Sequence, residues 1–310
     1  MNSAGRTCPL YYRYGAASIA RAPVREAETL YVIGGLYGNF PALDVIEAML
    51  TTELHPVTLC FNGDFNWFNV DERSFRSINE RVLQHDAILG NVEAELQAES
   101  ASDGCGCGYP DEIDADFVER SNQIHARLKD TAKHYPDLLA QLAALPMFAR
   151  YRIGKVDVGV VHGDAESLAG WRFDTSLPNG IVKGDWLHNA FEQADVDVFA
   201  STHTCLPVLR HYGLPTNKVV INNGAAGMPN FAQTRYGLLT RISIHPSPHI
   251  PLYGVALRDV YIDALSINYD NKDWLQMFLA NWPVNSPAWT SYYSRINNGN
   301  GITAFKDKDC

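Results

Sequence analysis

Short β-branched and aromatic runs that each stop abruptly at glycine and polar residues set the strongest limit on what this chain can fold into. Thr29-Leu30-Tyr31-Val32-Ile33 breaks at Gly34-Gly35, Val57 to Phe61 leads through Asn62-Gly63 to Asp64, and Ala87-Ile88-Leu89 leads to Gly90-Asn91. Later, Val156 to Val161 ends at His162-Gly163-Asp164, and Val196 to Ala200 ends at Ser201-Thr202-His203-Thr204-Cys205. Continuous apolar runs of this kind read as strands buried on both faces. Between the first two runs Asn39 reads as a helix N-cap, with Pro41 in the first turn and Leu43, Ile46 and Leu50 along one face. Strand, helix, strand in that order predicts a βαβ unit with parallel pairing.

The rest of the chain continues in the same style. A helix is predicted over Glu72 to Leu83, loop chemistry fills Glu99 to Glu112, and Phe117, Ile124 and Leu128 mark another helix. Leu138, Leu139, Leu142 and Leu145 mark one more between Pro136 and Pro146, followed by a hairpin of Met147 to Ile153 and Val156 to Val161 around Gly154-Lys155. Val219 to Ile221 runs into Asn222-Asn223-Gly224, and Tyr236 to Ile244 completes the β-rich part. A strand over Val255 to Ile267 then precedes a helix starting near Asn271, with Trp274, Phe278 and Trp282 on one face. That face is expected to pack onto the sheet, ahead of a substrate lid or the interface of a homo-oligomer. Asn285-Ser286-Pro287 opens a last short helix, and the tail from Asn297 reads as loose. These elements imply an N-terminal segment (1–27), a main domain (28–248) and a C-terminal extension (249–310) packed on the same domain.

Composition narrows the function classes. With 310 residues, 46% hydrophobic and 19% charged, the chain has material for a large core. Its formal net charge of -10 argues against nucleic acid and anionic membranes as partners, and an anionic substrate would need a local cation. Neither a secretory signal nor a membrane span is visible, so the expected location is cytoplasmic. Cys8, Cys60, Cys105, Cys107, Cys205 and Cys310 read as reduced thiols, with Cys105-Gly106-Cys107 the one close pair.

Loops beyond the carboxyl ends of strands converge in α/β sheets, so Gly35, Asp64, Asn91, His162 and His203 are expected to share one cleft. Alone, each has an ordinary reading as a turn residue, a core histidine or a loop residue. Together, Asp64, Asn91, His162 and His203 are the oxygen and imidazole donors that hold Mn, Fe or Zn.

In these motifs the chain resembles the calcineurin-like metallophosphoesterases, whose blocks read Asp-x-His, Gly-Asp, Gly-Asn-His, His and Gly-His-x-His. Gly63-Asp64 matches the second block, Gly90-Asn91 the third, His162-Gly163 the fourth and Thr202-His203-Thr204-Cys205 the last, with Gly38-Asn39-Phe40-Pro41 matching the helix that follows the first. The resemblance spans roughly Glu28 to Ile244 and implies an α/β fold of two stacked mixed β-sheets flanked by helices, a four-layer sandwich. It also implies two metals bridged by Asp64. The lost ligands all fall on one of them, since Gly35, Tyr37 and Cys205 stand where the family has Asp, His and His; separately, Val92 replaces the histidine after Gly-Asn, which the resemblance makes a proton donor to the leaving group. What is left implies one divalent ion per chain on Asp64, Asn91, His162 and His203.

The leading expectation is therefore a metal-dependent hydrolase of phosphate esters or anhydrides acting on a small phosphorylated substrate, with Tyr37 as a candidate acid. A non-catalytic binding or scaffold protein of the same fold is the alternative. A third reading uses Cys205, Cys105 and Cys107 as a thiolate site for a softer ion. Arg120, Arg172 and Arg235 are the candidate anion contacts.

Overall fold

Alternate side chains along each central strand face different layers, and this explains why the runs are apolar throughout. The computed structural model describes residues 4–97, 104–213 and 217–300. Its strands are β1 (Val24–Glu26), β2 (Thr29–Ile33), β3 (Val57–Asn62), β4 (Asp86–Ile88), β5 (Phe148–Ile153), β6 (Val156–Val161), β7 (Val198–Ser201), β8 (Val208–Tyr212), β9 (Lys218–Asn222), β10 (Gly237–Ser243), β11 (Tyr253–Leu257) and β12 (Val260–Ile267). One sheet runs β11-β12-β10-β2-β3-β4 and the other β1-β5-β6-β7-β9-β8. Leu30, Val32, Cys60 and Ile88 of the first meet Val158, Val160, Val198, Ala200 and Ile221 of the second in a buried core. From the same strands Tyr31, Ile33, Leu59 and Phe61 face outward, into a cluster they share with helices Phe40–Leu50 and Glu72–Val82. Val161, Phe199 and Val220 of the second sheet are covered by helix Trp186–Ala194. Helix, sheet, sheet, helix is the four-layer sandwich expected from the sequence.

Each sheet contains a parallel triplet: β2, β3 and β4 in one, β6, β7 and β9 in the other. Their carboxyl ends deliver residues 34–39, 63–69, 90–93, 162–164 and 202–205 to a common edge. Asn39 caps the first helix as expected, its Oδ1 accepting from Ala42 N at 3.0 Å. The two sheets are also tied at this edge, where Asn223 Nδ2 donates to Val32 O at 3.2 Å.

The structure differs from the sequence reading in several places. The run Val255 to Ile267 is the hairpin β11–β12, turned at Arg258 with φ 52. The N-terminal segment supplies β1, which pairs in parallel with β5. Helix Trp186–Ala194 and strand β8 had no clear signal. The last helix, Pro287–Asn298, extends through Asn297 and packs on helix Ala115–Ala132, with Arg120 Nε donating to Ser291 Oγ at 2.8 Å. Residues 99–103 of the expected loop and 301–310 of the expected tail lie outside the described residues. Trp274, Phe278 and Trp282 are buried in the core of their own chain, and Trp282 Nε1 donates to Phe68 O at 3.0 Å. Among the described residues no helix is long and apolar enough to cross a membrane.

Candidate functional site

Strand β3 ends in a turn that presents Asp64 with φ 55, directly after Gly63 with φ 74. A Cβ on Gly63 would collide with the backbone of Gly90, and one on Gly90 with Asp64, so the second and third strand tips touch only because both positions lack side chains. The turn is held from below by Glu93, whose carboxylate accepts from Asp64 N at 2.7 Å and from Asn66 N at 3.2 Å. Asp64 Oδ1 in turn accepts from Val92 N at 3.2 Å, leaving Oδ2 to face His162 Nε2 at 3.4 Å.

The two imidazoles are locked from behind. His162 Nδ1 lies 2.8 Å from Asn62 O, and His203 Nε2 lies 2.9 Å from Cys107 O. A carbonyl only accepts, so those two nitrogens carry hydrogen, and His162 Nε2 and His203 Nδ1 present lone pairs. Asn91 is oriented likewise: Nδ2 donates to Cys105 O at 2.9 Å and Cys107 Sγ at 3.3 Å, which turns Oδ1 inward. His162 Nε2 then lies 3.2 Å from Asn91 Oδ1 and 3.2 Å from His203 Nδ1. Four acceptors thus converge on one point, and Asp64, His162 and His203 are buried. Such a cluster repels itself unless a cation sits among its members, and the donor set of one carboxylate, one amide oxygen and two imidazoles suits a divalent metal.

The titration of the cluster has the same physical cause. Burial opposes charge on all three ionisable groups, yet the Asp64 carboxylate raises His162 above the ordinary imidazole value, and His162 holds Asp64 below the ordinary carboxylate value. Burial and the neighbouring His162 push His203 down to about 3. Glu93 moves the other way: burial and the charge of Asp64 push it up to about 7.

Asp64, Asn91, His162 and His203 lie together at the strand ends. The position opposite them is filled. The ring of Tyr37 stands where a Cβ on Gly35 would project, and Tyr37 Oη lies 2.6 Å from Cys205 Sγ. Tyr37 and Cys205 have φ of 56 and 54, so with Asp64 three of the eight non-glycine residues at positive φ among those described lie at this site. The three thiols do not assemble into a ligand group. Cys205 pairs with Tyr37, Cys107 with Asn91, and burial pushes both thiols up, away from the thiolate form that binds metal. Among the described residues the other group with metal-ligand spacing is Glu28, His55 and His245 at the opposite end of β2 and β3, where Glu28 and His55 are exposed and the two imidazoles stack at 3.6 Å.

A cavity of about 380 Å³ opens onto Asp64, Asn91 and His203. Arg120, Arg172 and Arg235 do not line it; Arg120 and Arg235 bond Ser291 and the Asn297 carbonyl, and Arg172 lies over Trp186. The arginine that does is Arg295, from the last helix, with Nη2 donating to Cys205 O at 2.9 Å. Glu93, Trp67, Trp171, Tyr292 and Arg295 were absent from the sequence reading. For Glu93 a signal existed, an acid in the first turn after Gly90-Asn91; for Tyr292 and Arg295, on a remote helix, there was none.

No protein-family model and no curated protein matches the chain. Solved structures do. A hypothetical protein from Pyrococcus horikoshii OT3 is 16% identical with a TM-score of 0.57, covering 88% of this chain and 99% of its own. A metallophosphoesterase from Sphaerobacter thermophilus is 15% identical with a TM-score of 0.55, covering 88% and 100%. Two six-stranded mixed sheets stacked between helices, with the donor cluster at their shared carboxyl edge, therefore give this chain the metallophosphoesterase fold.

Proposed function

We propose that this chain is a phosphoester hydrolase that works with one divalent ion, held by Asp64, Asn91, His162 and His203. The observation that carries the reading is the inward orientation of all four acceptors, with His162, Asn91 and His203 fixed by the carbonyls of Asn62, Cys105 and Cys107 behind them and Asp64 by the Val92 amide. An ion of the Mn, Fe or Zn type would supply positive charge at a phosphoryl oxygen and acidify water there. The chain's own groups do the rest. Glu93 keeps Asp64 in its left-handed turn, and the largely apolar cavity walls border the cluster on its open side. Tyr37 and Cys205 close the side on which a second ion would sit, so the reaction has half of the two-ion clamp available.

Protonation of a leaving group is the weak point of this site. Val92 occupies the position where a histidine would donate, and the buried His125 behind it is turned to Val92 O at 3.0 Å. Besides Asp64 no carboxyl group lines the cavity among the described residues, and burial raises Tyr37, Tyr109 and Tyr292 above the ordinary phenol value. Substrates with good leaving groups follow from this. The same two features, the filled half-site and the missing acid, favour the second reading of a phosphoryl-binding protein that does not turn over.

Metal analysis of the purified protein tests the proposal. One equivalent per chain, lost in His203→Ala, is expected; metal near zero, or unaffected by that substitution, would sink it. Hydrolysis of a phosphomonoester by the metal-loaded protein, absent in His203→Ala, then separates the hydrolase from the binding reading.

A further inference from the structure

The wall of the cavity carries information that the metal cluster does not. Five aromatic rings form a continuous arc that starts at His203. Trp171 meets the His203 ring at 5.1 Å, Tyr109 follows at 5.7 Å from Trp171, and Phe117 at 5.8 Å from Tyr109. Tyr292 lies 5.7 Å from Phe117, and Trp67 closes the arc 6.4 Å from Tyr292. All five line the cavity of about 380 Å³ that opens onto Asp64, Asn91 and His203.

Two of the polar tips among these rings are engaged within the protein. Trp171 Nε1 donates to Cys107 O at 3.0 Å, and Tyr109 Oη bonds Ser121 Oγ at 3.1 Å. Among the described residues Arg295 is the one Lys or Arg side chain of the lining, and its Nε and Nη2 face the carbonyls of Pro229 and Cys205 at 3.3 and 2.9 Å. A sugar would need several free donors and acceptors here, and a polyphosphate would need several cations. What the cavity offers is π-faces beside a single anion site.

On the strength of these two regions, and resting on the metal-site reading above, we propose that the cavity takes a phosphoryl group attached directly to an aromatic ring, an aryl phosphate. The ring stacks within the arc of Trp67, Tyr109, Phe117, Trp171 and Tyr292, and the phosphoryl group lies at the end of the cavity bordered by Asp64, Asn91 and His203, against the positive charge of the ion that the cluster would hold. The lack of a proton donor points the same way independently. In the hydrolysis, water oxygen bonds to phosphorus and passes a proton to a phosphoryl oxygen, the bond from phosphorus to the aryl oxygen breaks, and that oxygen leaves with the electron pair as a phenolate. A phenol has a pKa of about 10, so its anion departs without an acid, and it takes its proton from solvent after release. The products are inorganic phosphate and a phenol.

Isothermal titration of the Mn²⁺-loaded protein with uncleavable probes tests this without relying on turnover. Phenylphosphonate carries ring and head group, methylphosphonate the head group alone, and benzyl alcohol the ring alone. Phenylphosphonate is expected to bind at least about tenfold more tightly than methylphosphonate. In Tyr292→Leu and Phe117→Leu this advantage shrinks while methylphosphonate affinity stays the same. Equal affinity for the two phosphonates overturns the aryl assignment and leaves the metal site standing. Phenylphosphonate binding no tighter than benzyl alcohol, and unchanged in His203→Ala, overturns the metal-site reading on which the assignment rests.

Discussion

Tyr37 Oη lies 2.6 Å from Cys205 Sγ, and the ring behind that hydroxyl occupies the volume a side chain on Gly35 would need. Three substitutions that look like independent losses in the sequence are thus one packed unit in the fold. Small at 35, ring at 37 and thiol at 205 fit each other.

This unit predicts how the second half-site can and cannot be restored. Gly35→Asp alone drives a side chain into the Tyr37 ring and is expected to lower stability by about 2 kcal/mol or more. With Gly35→Asp, Tyr37→His and Cys205→His made together, the ring is gone and histidine tolerates the left-handed backbone at both positions. The triple variant is expected to hold a second equivalent of Mn²⁺ by metal analysis. A triple variant that folds and still holds one equivalent would show that the filled space is not what excludes the second ion.

Glu93 touches no lining surface, yet it carries the geometry of Asp64. Glu93→Ala leaves the buried amides of Asp64 and Asn66 without acceptors, at about 1–3 kcal/mol for each. The expected result is a clear drop in urea midpoint, together with a loss of metal affinity of about 10- to 100-fold. Wild-type metal affinity in a folded Glu93→Ala protein would show that Asp64 holds its turn without this carboxylate.

Asp263 sets a pH dependence away from the site. It lies across from Arg241 in the β10–β12 pairing, but Arg241 is committed to Glu53 at 2.6 and 3.0 Å. Burial pushes the Asp263 carboxyl up to about 6, with the Arg241 charge only partly offsetting it. A raised carboxyl means the native state holds the proton that the unfolded chain has released, so this contribution to stability is present below the unfolded value of about 4 and is lost as pH rises through about 6. Asp263→Asn is therefore expected to stabilise the protein at pH 7 by on the order of 1 kcal/mol, allowing for solvent screening, with the gain vanishing near pH 4. Urea unfolding curves at several pH values check this; wild type and variant that keep a constant difference across the range would contradict it.

Much of the molecule is readable from neighbours along the chain. Asn39 and Pro41 announce a helix start, Gly63 and Gly90 announce strand tips, and Asp64, Asn91, His162 and His203 announce their donor chemistry, because caps, turns and strand burial depend on a few adjacent residues. The hairpin at Arg258 was missed for a related reason: a turn closed by an arginine at positive φ carries no glycine or asparagine to mark it. What the chain order could not convey is where distant segments meet. Tyr37 meeting Cys205, Glu93 bracing Asp64 and Arg295 reaching Cys205 from the last helix are each settled by packing between residues tens to hundreds of positions apart. Side-chain type and local backbone preference were enough to name the four donors; whether the site beside them stood open or closed depended on the volume of one ring, which has meaning only once the two sheets have been stacked.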